Sequence, residues 1–178
     1  MHQAWGTWVT DHIFKGWEGY IITFMFDHIP GRAASQIDQM EKEVVRVYRT
    51  LLTRIVRRPQ QRCERDRLPR WIVVPDFPVP KHAKTSLGDV TINGGLHMHA
   101  IALLPPTSRL TGGLDQHFAA HQALYVRPGF PLCRLHAEPI LRTPGTATEY
   151  VLKSIRRGRV SGDQILLLPQ DRASHIFE

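Results

Sequence analysis

From residue 33 to residue 58 the chain reads AASQIDQMEKEVVRVYRTLLTRIVRR, and Ile37, Met40, Val44, Val47, Leu51, Leu52 and Ile55 recur at helical spacing. The stretch predicts a long amphipathic helix of about six or seven turns, opened by Ser35 as its N-cap. A helix with one long apolar stripe buries it against another element, and a sheet offers a matching surface. The polar face turns basic toward the C-terminus, where cations suit the helix dipole.

The flanking segments supply strands. EGYIITFMF (18–26) is rich in β-branched and aromatic residues and ends in the turn DHIPG. RWIVVPDFPV (70–79) reads as a strand broken by prolines. VTINGGLHMHAIALLP (90–105) contains another, preceded by a turn or bulge at Asn93-Gly94-Gly95. A short helix is expected from about Leu114, then a strand in LCRLHAEPIL. TATEYVLKSIRRGR reads as a helix, with Thr146 and Glu149 at capping-box spacing and Arg156, Arg157 and Gly158 at its end. The tail DQILLLPQDRASHIFE adds an edge strand or stays irregular. This order predicts an α+β fold: a ferredoxin-like or split βαβ layout, with helices on one face of a mainly antiparallel sheet. We expect one domain over residues 1–178, with its core at about 18–158 and peripheral terminal segments.

Composition narrows the function. No apolar run approaches the roughly 20 residues of a membrane helix, and the N-terminus lacks the pattern of a signal peptide. With only Cys63 and Cys133, a disulfide framework is not expected, and a reducing cytoplasm fits. The net charge of +7 suits a protein that neutralises phosphates. The basic residues cluster in RTLLTRIVRRPQQRCERDRLPR and KSIRRGR, which are expected to grip a nucleic-acid backbone.

His97 and His99 lie at i and i+2 of a predicted strand, so both imidazoles leave the same face. Three explanations compete: two unrelated structural histidines, a shared metal ion, or acid–base work by one ring oriented by the other. Tyr150 and Lys153, three apart on a predicted helix, share a face and bring a cation near a phenol. The same residues would also serve as ordinary helix packing beside a solvated lysine. A second pair, His117 and His121, has the i, i+4 spacing that suits zinc, but Phe118 stands where a metalloprotease motif needs glutamate. That pair reads as helix surface, with Tyr125 as an alternative nucleophile.

GGLHMHAIALLP followed about fifty residues later by TEYVLKS resembles the HUH endonuclease superfamily. That superfamily includes the rolling-circle replication initiators of plasmids and phages, with related transposases and relaxases. YIITFMF stands in the place of its first strand motif, His97-Met98-His99 of its histidine motif, and Tyr150-Val151-Leu152-Lys153 of its tyrosine motif. The resemblance spans roughly residues 18 to 158. The first motif lacks the family's threonine-rich form. No helicase segment follows, so a stand-alone nuclease domain or a derivative of one is expected.

The resemblance implies a site-specific endonuclease and strand transferase acting on single-stranded DNA, such as the strand of a hairpin origin. It implies Mg²⁺ or Mn²⁺ held by His97, His99 and a third polar side chain, with Tyr150 as nucleophile and Lys153 as its catalytic partner. Tyr150 would end joined to the 5′ phosphate, leaving a free 3′ hydroxyl. Asp89, eight residues before His97, fits the third ligand best; Asp76 and His82 are alternatives, and a hard ion favours oxygen. The rival expectation is a nucleic-acid-binding module of the same fold without catalysis.

Overall fold

The structure is a computed structural model and describes residues 2–77, 92–141, 144–151, 153 and 164–170. Five strands form one open antiparallel sheet: β1 (Glu18–Phe26), β2 (Arg70–Asp76), β3 (His97–Leu104), β4 (Leu132–Pro139) and β5 (Leu166–Leu168), in spatial order β4-β1-β3-β2-β5. Strand β3 lies between β1 and β2 and runs opposite to both. Strands β1 and β2 are therefore the two arms of a split βαβ unit, joined by α2 (Ala33–Ile55). The tail contributes the edge strand β5, which pairs with β2 from Trp71 to Val73. Beyond that point β2 has no partner on this side among the described strands, and Pro75, which lacks an N–H, costs no ladder hydrogen bond there.

Period-two alternation sorts the side chains. Tyr20, Ile22, Phe24 and Phe26 of β1, with Met98, Ala100, Ala102 and Leu104 of β3, join the apolar stripe of α2 in one buried cluster. Trp71, Leu114, Phe118 and Tyr125 belong to the same cluster, the last three from the short helices α3 (Leu114–Ala120) and α4 (Gln122–Tyr125). The opposite residues Ile72, Val74, Ile101 and Leu103 face a second cluster built with Val9 and Val151.

That second cluster corrects the expectation of helices on one face. Helix α1 (His2–Phe14) and helix α5 (Pro144–Val151) pack on each other and cover the other face. Helix α1 has no clean apolar periodicity; it is held instead by Trp5, Trp8 and Trp17, with the Arg70 guanidinium 5.5 Å from the Trp17 ring. The N-terminal segment is thus part of the covering layer rather than peripheral.

Two cap assignments also change. Helix α2 starts at Ala33, with Arg32 as N-cap, so Ser35 lies inside the first turn. Helix α5 starts at Pro144, whose fixed φ suits a first helical position. Thr146 and Glu149 are therefore interior, exposed helix residues and not a capping box, and Tyr150 falls in the second turn. The continuation with Arg156, Arg157 and Gly158 lies outside the described residues.

The turn before β3 is tied to the end of β1 by Asn93. This residue has φ of 54° and is buried. Its Oδ1 accepts a hydrogen bond from the Ile29 N–H at 2.7 Å, and its Nδ2 donates to the Asp27 carbonyl at 2.9 Å. Asn93→Ala strands a buried donor and adds strain at a positive φ. We expect a loss of about 2–4 kcal/mol in urea unfolding, and a cost below about 1 kcal/mol would remove Asn93 from this role.

Candidate metal centre

The ladder between β2 and β3 pairs Asp76 with His97 and Val74 with His99. Asp76, His97 and His99 therefore project from the same sheet face at one end of the two strands. His97 Nε2 and His99 Nε2 are 3.1 Å apart, and Asp76 Oδ2 lies 3.6 Å from the first and 3.5 Å from the second. Asp76 is 2% exposed and His99 5%.

Each ring is oriented through its other nitrogen. His97 Nδ1 is 2.9 Å from the Gly95 carbonyl, which can only accept, so Nδ1 carries the proton. His99 Nδ1 is 3.1 Å from Thr23 Oγ1, and the Ile22 carbonyl is a further acceptor for this ring. In the tautomer with Nδ1 protonated on both rings, two Nε2 lone pairs and a carboxylate oxygen converge. Burial, then the neighbouring His97, lowers the His99 pKa to about 4, keeping this ring a neutral donor around pH 7. In that state the three atoms form a donor set that suits a cation.

The spacing fits one. Tetrahedral ligands about 2.1 Å from an ion are about 3.4 Å apart, and octahedral neighbours at that distance about 3.0 Å apart. The observed separations fall close to this range. The three residues could hold a metal ion, and they are the group of this kind found among the described residues.

Helix α5 brings Tyr150 to the same place, and Lys153 follows two residues beyond its last residue. The Tyr150 ring centroid is 5.8 Å from that of His99, and Lys153 Nζ is 4.2 Å from the Tyr150 ring centroid. Lys153 Nζ also meets Asp76 Oδ2 at 2.7 Å, which supplies the countercharge that the buried carboxylate requires. Tyr150 is 50% exposed. On the adjoining strands, Met25, Arg134 and His136 are exposed; the β1–β4 register sets Met25 beside Arg134 and Thr23 beside His136.

Asp89 and His82 lie outside the described residues; among the described residues the carboxylate that joins the histidines is Asp76. Sequence reasoning named it only as an alternative, and it missed Thr23. The readable signal for Asp76 is its i+2 relation to Val74 in an otherwise apolar strand.

The rival pair belongs to no group of three candidate metal ligands among the described residues. The His117 and His121 rings stack, with centroids 4.7 Å apart, and His117 Nε2 bonds the Tyr125 hydroxyl at 2.7 Å. Tyr125 is fully buried, which removes it as a nucleophile. Trp71 is core, and Cys63 and Cys133 are free and exposed.

Thr23→Val keeps the side-chain shape and deletes the hydroxyl beside His99. Outer-shell losses of this kind weaken metal affinity by about 10–100-fold. We expect about a tenfold drop in Mn²⁺ affinity by calorimetric titration, with little change in melting temperature. An unchanged affinity would leave His99 oriented without Thr23.

No protein-family model matches the sequence, and no curated protein or solved structure matches it either. No helix among the described residues is long and apolar enough to cross a membrane.

Proposed function

We propose that the protein is a tyrosine-nucleophile endonuclease and strand transferase of the HUH kind, acting on single-stranded DNA with Mg²⁺ or Mn²⁺. The observation that carries this reading is the packing of Tyr150 and Lys153 against the Asp76–His97–His99 cluster. These residues come from a helix and two strands far apart in the sequence, and the attacking group, a cation and a candidate metal site meet on one sheet face. Of the two ions, the imidazole pair suits Mn²⁺ better than Mg²⁺.

A divalent ion held by His97, His99 and Asp76 would act as a Lewis acid on the scissile phosphate. The half-exposed Tyr150 Oη attacks the phosphorus in line, forming the O–P bond as the bond to the 3′ oxygen breaks. The tyrosine gives up its proton, and the departing oxygen gains one to become the 3′ hydroxyl. Lys153 keeps positive charge beside the ring and the phosphate as negative charge develops there. Rejoining reverses the step: a 3′ hydroxyl attacks the phosphotyrosyl group and Tyr150 recovers its proton. The exposed strip of Met25, Arg134 and His136 leaves the adjoining sheet surface open to a strand.

The test is a denaturing gel of 5′-labelled and 3′-labelled single-stranded oligonucleotides, hairpins included, incubated with Mn²⁺. A protein-linked product on the 5′-phosphate side supports the reading. Tight binding with no covalent product over a broad sequence library supports the binding-module alternative instead.

A further inference from the structure

The basic run between α2 and β2 does not reach the candidate metal centre. Strand β2 begins at Arg70, beside that run, and ends at Asp76, so the two sites are separated by about 20 Å of strand. At the far end lies a groove of about 660 Å³ between α2, the turn before β2 and the end of β5. Arg49, Arg62 and Arg65 line it, Gln61 adds a carboxamide, and Val45 and Leu52 contribute apolar surface. Among the described residues no carboxylate lines it. A neighbouring cleft of about 380 Å³ shares Arg65 and Leu168 and is walled by Trp5 and Trp8, with Arg70 and one carboxylate, Asp66, at its lining.

We propose that this groove is a second binding site for single-stranded nucleic acid, holding the strand at a distance from the residues that would cut it. The inference rests on the nucleic-acid reading above. Charge complementarity supports it: the exposed guanidinium groups of Arg49 and Arg62, from two successive elements, suit a run of phosphates, and the chain carries a net charge of +7. Apolar surface beside carboxamide and guanidinium groups suits nucleobases, and the indoles of the neighbouring cleft offer stacking surfaces. A polynucleotide long enough to reach both sites gains from the high effective concentration of the second contact. A short one binds either site alone.

Arg49 and Arg62 are exposed, so the double variant Arg49→Glu/Arg62→Glu should fold as the wild type does. The probe is fluorescein-labelled oligothymidine of about 20 or about 6 nucleotides, followed by anisotropy in EDTA from about 50 to 200 mM salt. We expect the wild type to bind the longer oligonucleotide at least about 100-fold more tightly than the shorter one, more than its larger number of binding registers supplies. In the variant that length advantage should fall to what the number of binding registers supplies, and the salt slope for the longer oligonucleotide should flatten by about 1.4, or about 0.7 per lost phosphate contact. Equal affinity and slope for it in both proteins overturns the groove, as does equal affinity of the wild type for a duplex of the same length. Covalent product is scored separately in Mn²⁺ over the broad sequence library of the nicking test. Product with no effect of the variant removes the groove and keeps the nuclease. A strong effect of the variant without product removes the nuclease and keeps the groove.

Discussion

Tyr150→Phe is expected to abolish strand cleavage and every protein-linked product while leaving folding and DNA binding intact. The change deletes one oxygen from a side chain that is 50% exposed. The ring remains, and so do its contacts with His99 and Lys153. Stability should stay within about 0.5 kcal/mol of the wild type, as for most surface substitutions. The rate should fall by at least about 10⁴-fold, because removing a nucleophile removes the covalent route itself. Lys153→Ala is a poorer probe: it strips the countercharge from Asp76, which is 2% exposed, and would lower stability along with activity. The measurement is single-turnover cleavage of a labelled oligonucleotide that the wild type cuts, with circular dichroism as the folding control. Undiminished cleavage by the phenylalanine variant would transfer the chemistry to another group, and wild-type cleavage without a covalent product would indicate direct hydrolysis.

His97→Ala/His99→Ala should eliminate Mn²⁺ binding at the centre, with a loss larger than the about 10–100-fold that outer-shell changes produce. Two of the three donors among the described residues disappear, while the Asp76–Lys153 ion pair survives and keeps the buried carboxylate compensated. Asp76→Asn separates charge from shape. It retains an oxygen near the two Nε2 atoms but weakens the attraction for a dication, and it deprives Lys153 of its partner. We expect the Asp76→Asn variant to bind Mn²⁺ more weakly than the wild type and more tightly than the double histidine variant. Calorimetry and the electron paramagnetic resonance of Mn²⁺ both report this order. Equal affinity in all three proteins would mean the ion binds elsewhere.

Much of the architecture was legible because local periodicity carries it. The alternation in HMHAIALL puts His97 and His99 on one face wherever that strand ends up, and the stripe from Ile37 to Ile55 specifies a helix that buries one side. Strand β1 has the bounds its composition implies, Glu18 to Phe26. Helix α1 was not legible, because partly buried tryptophans hold it in place of a clean apolar stripe. The start of α5 was not legible either, because Pro144, two residues before Thr146, already begins the helix.

The sequence by itself determined that two imidazoles would project together and that Tyr150 and Lys153 would share a helix face. These are properties of a single element and follow from backbone geometry. Only the tertiary structure decided that Asp76 completes the cluster, that Thr23 orients His99, and that α5 lies over both. Each of those depends on register between strands distant in the chain, which hydrogen-bond ladders and core packing set and no spacing within one strand encodes. The separation of the arginine groove from the histidines has the same origin. Arg70 and Asp76 lie close in sequence, but an extended strand carries the chain from one end of the sheet to the other between them.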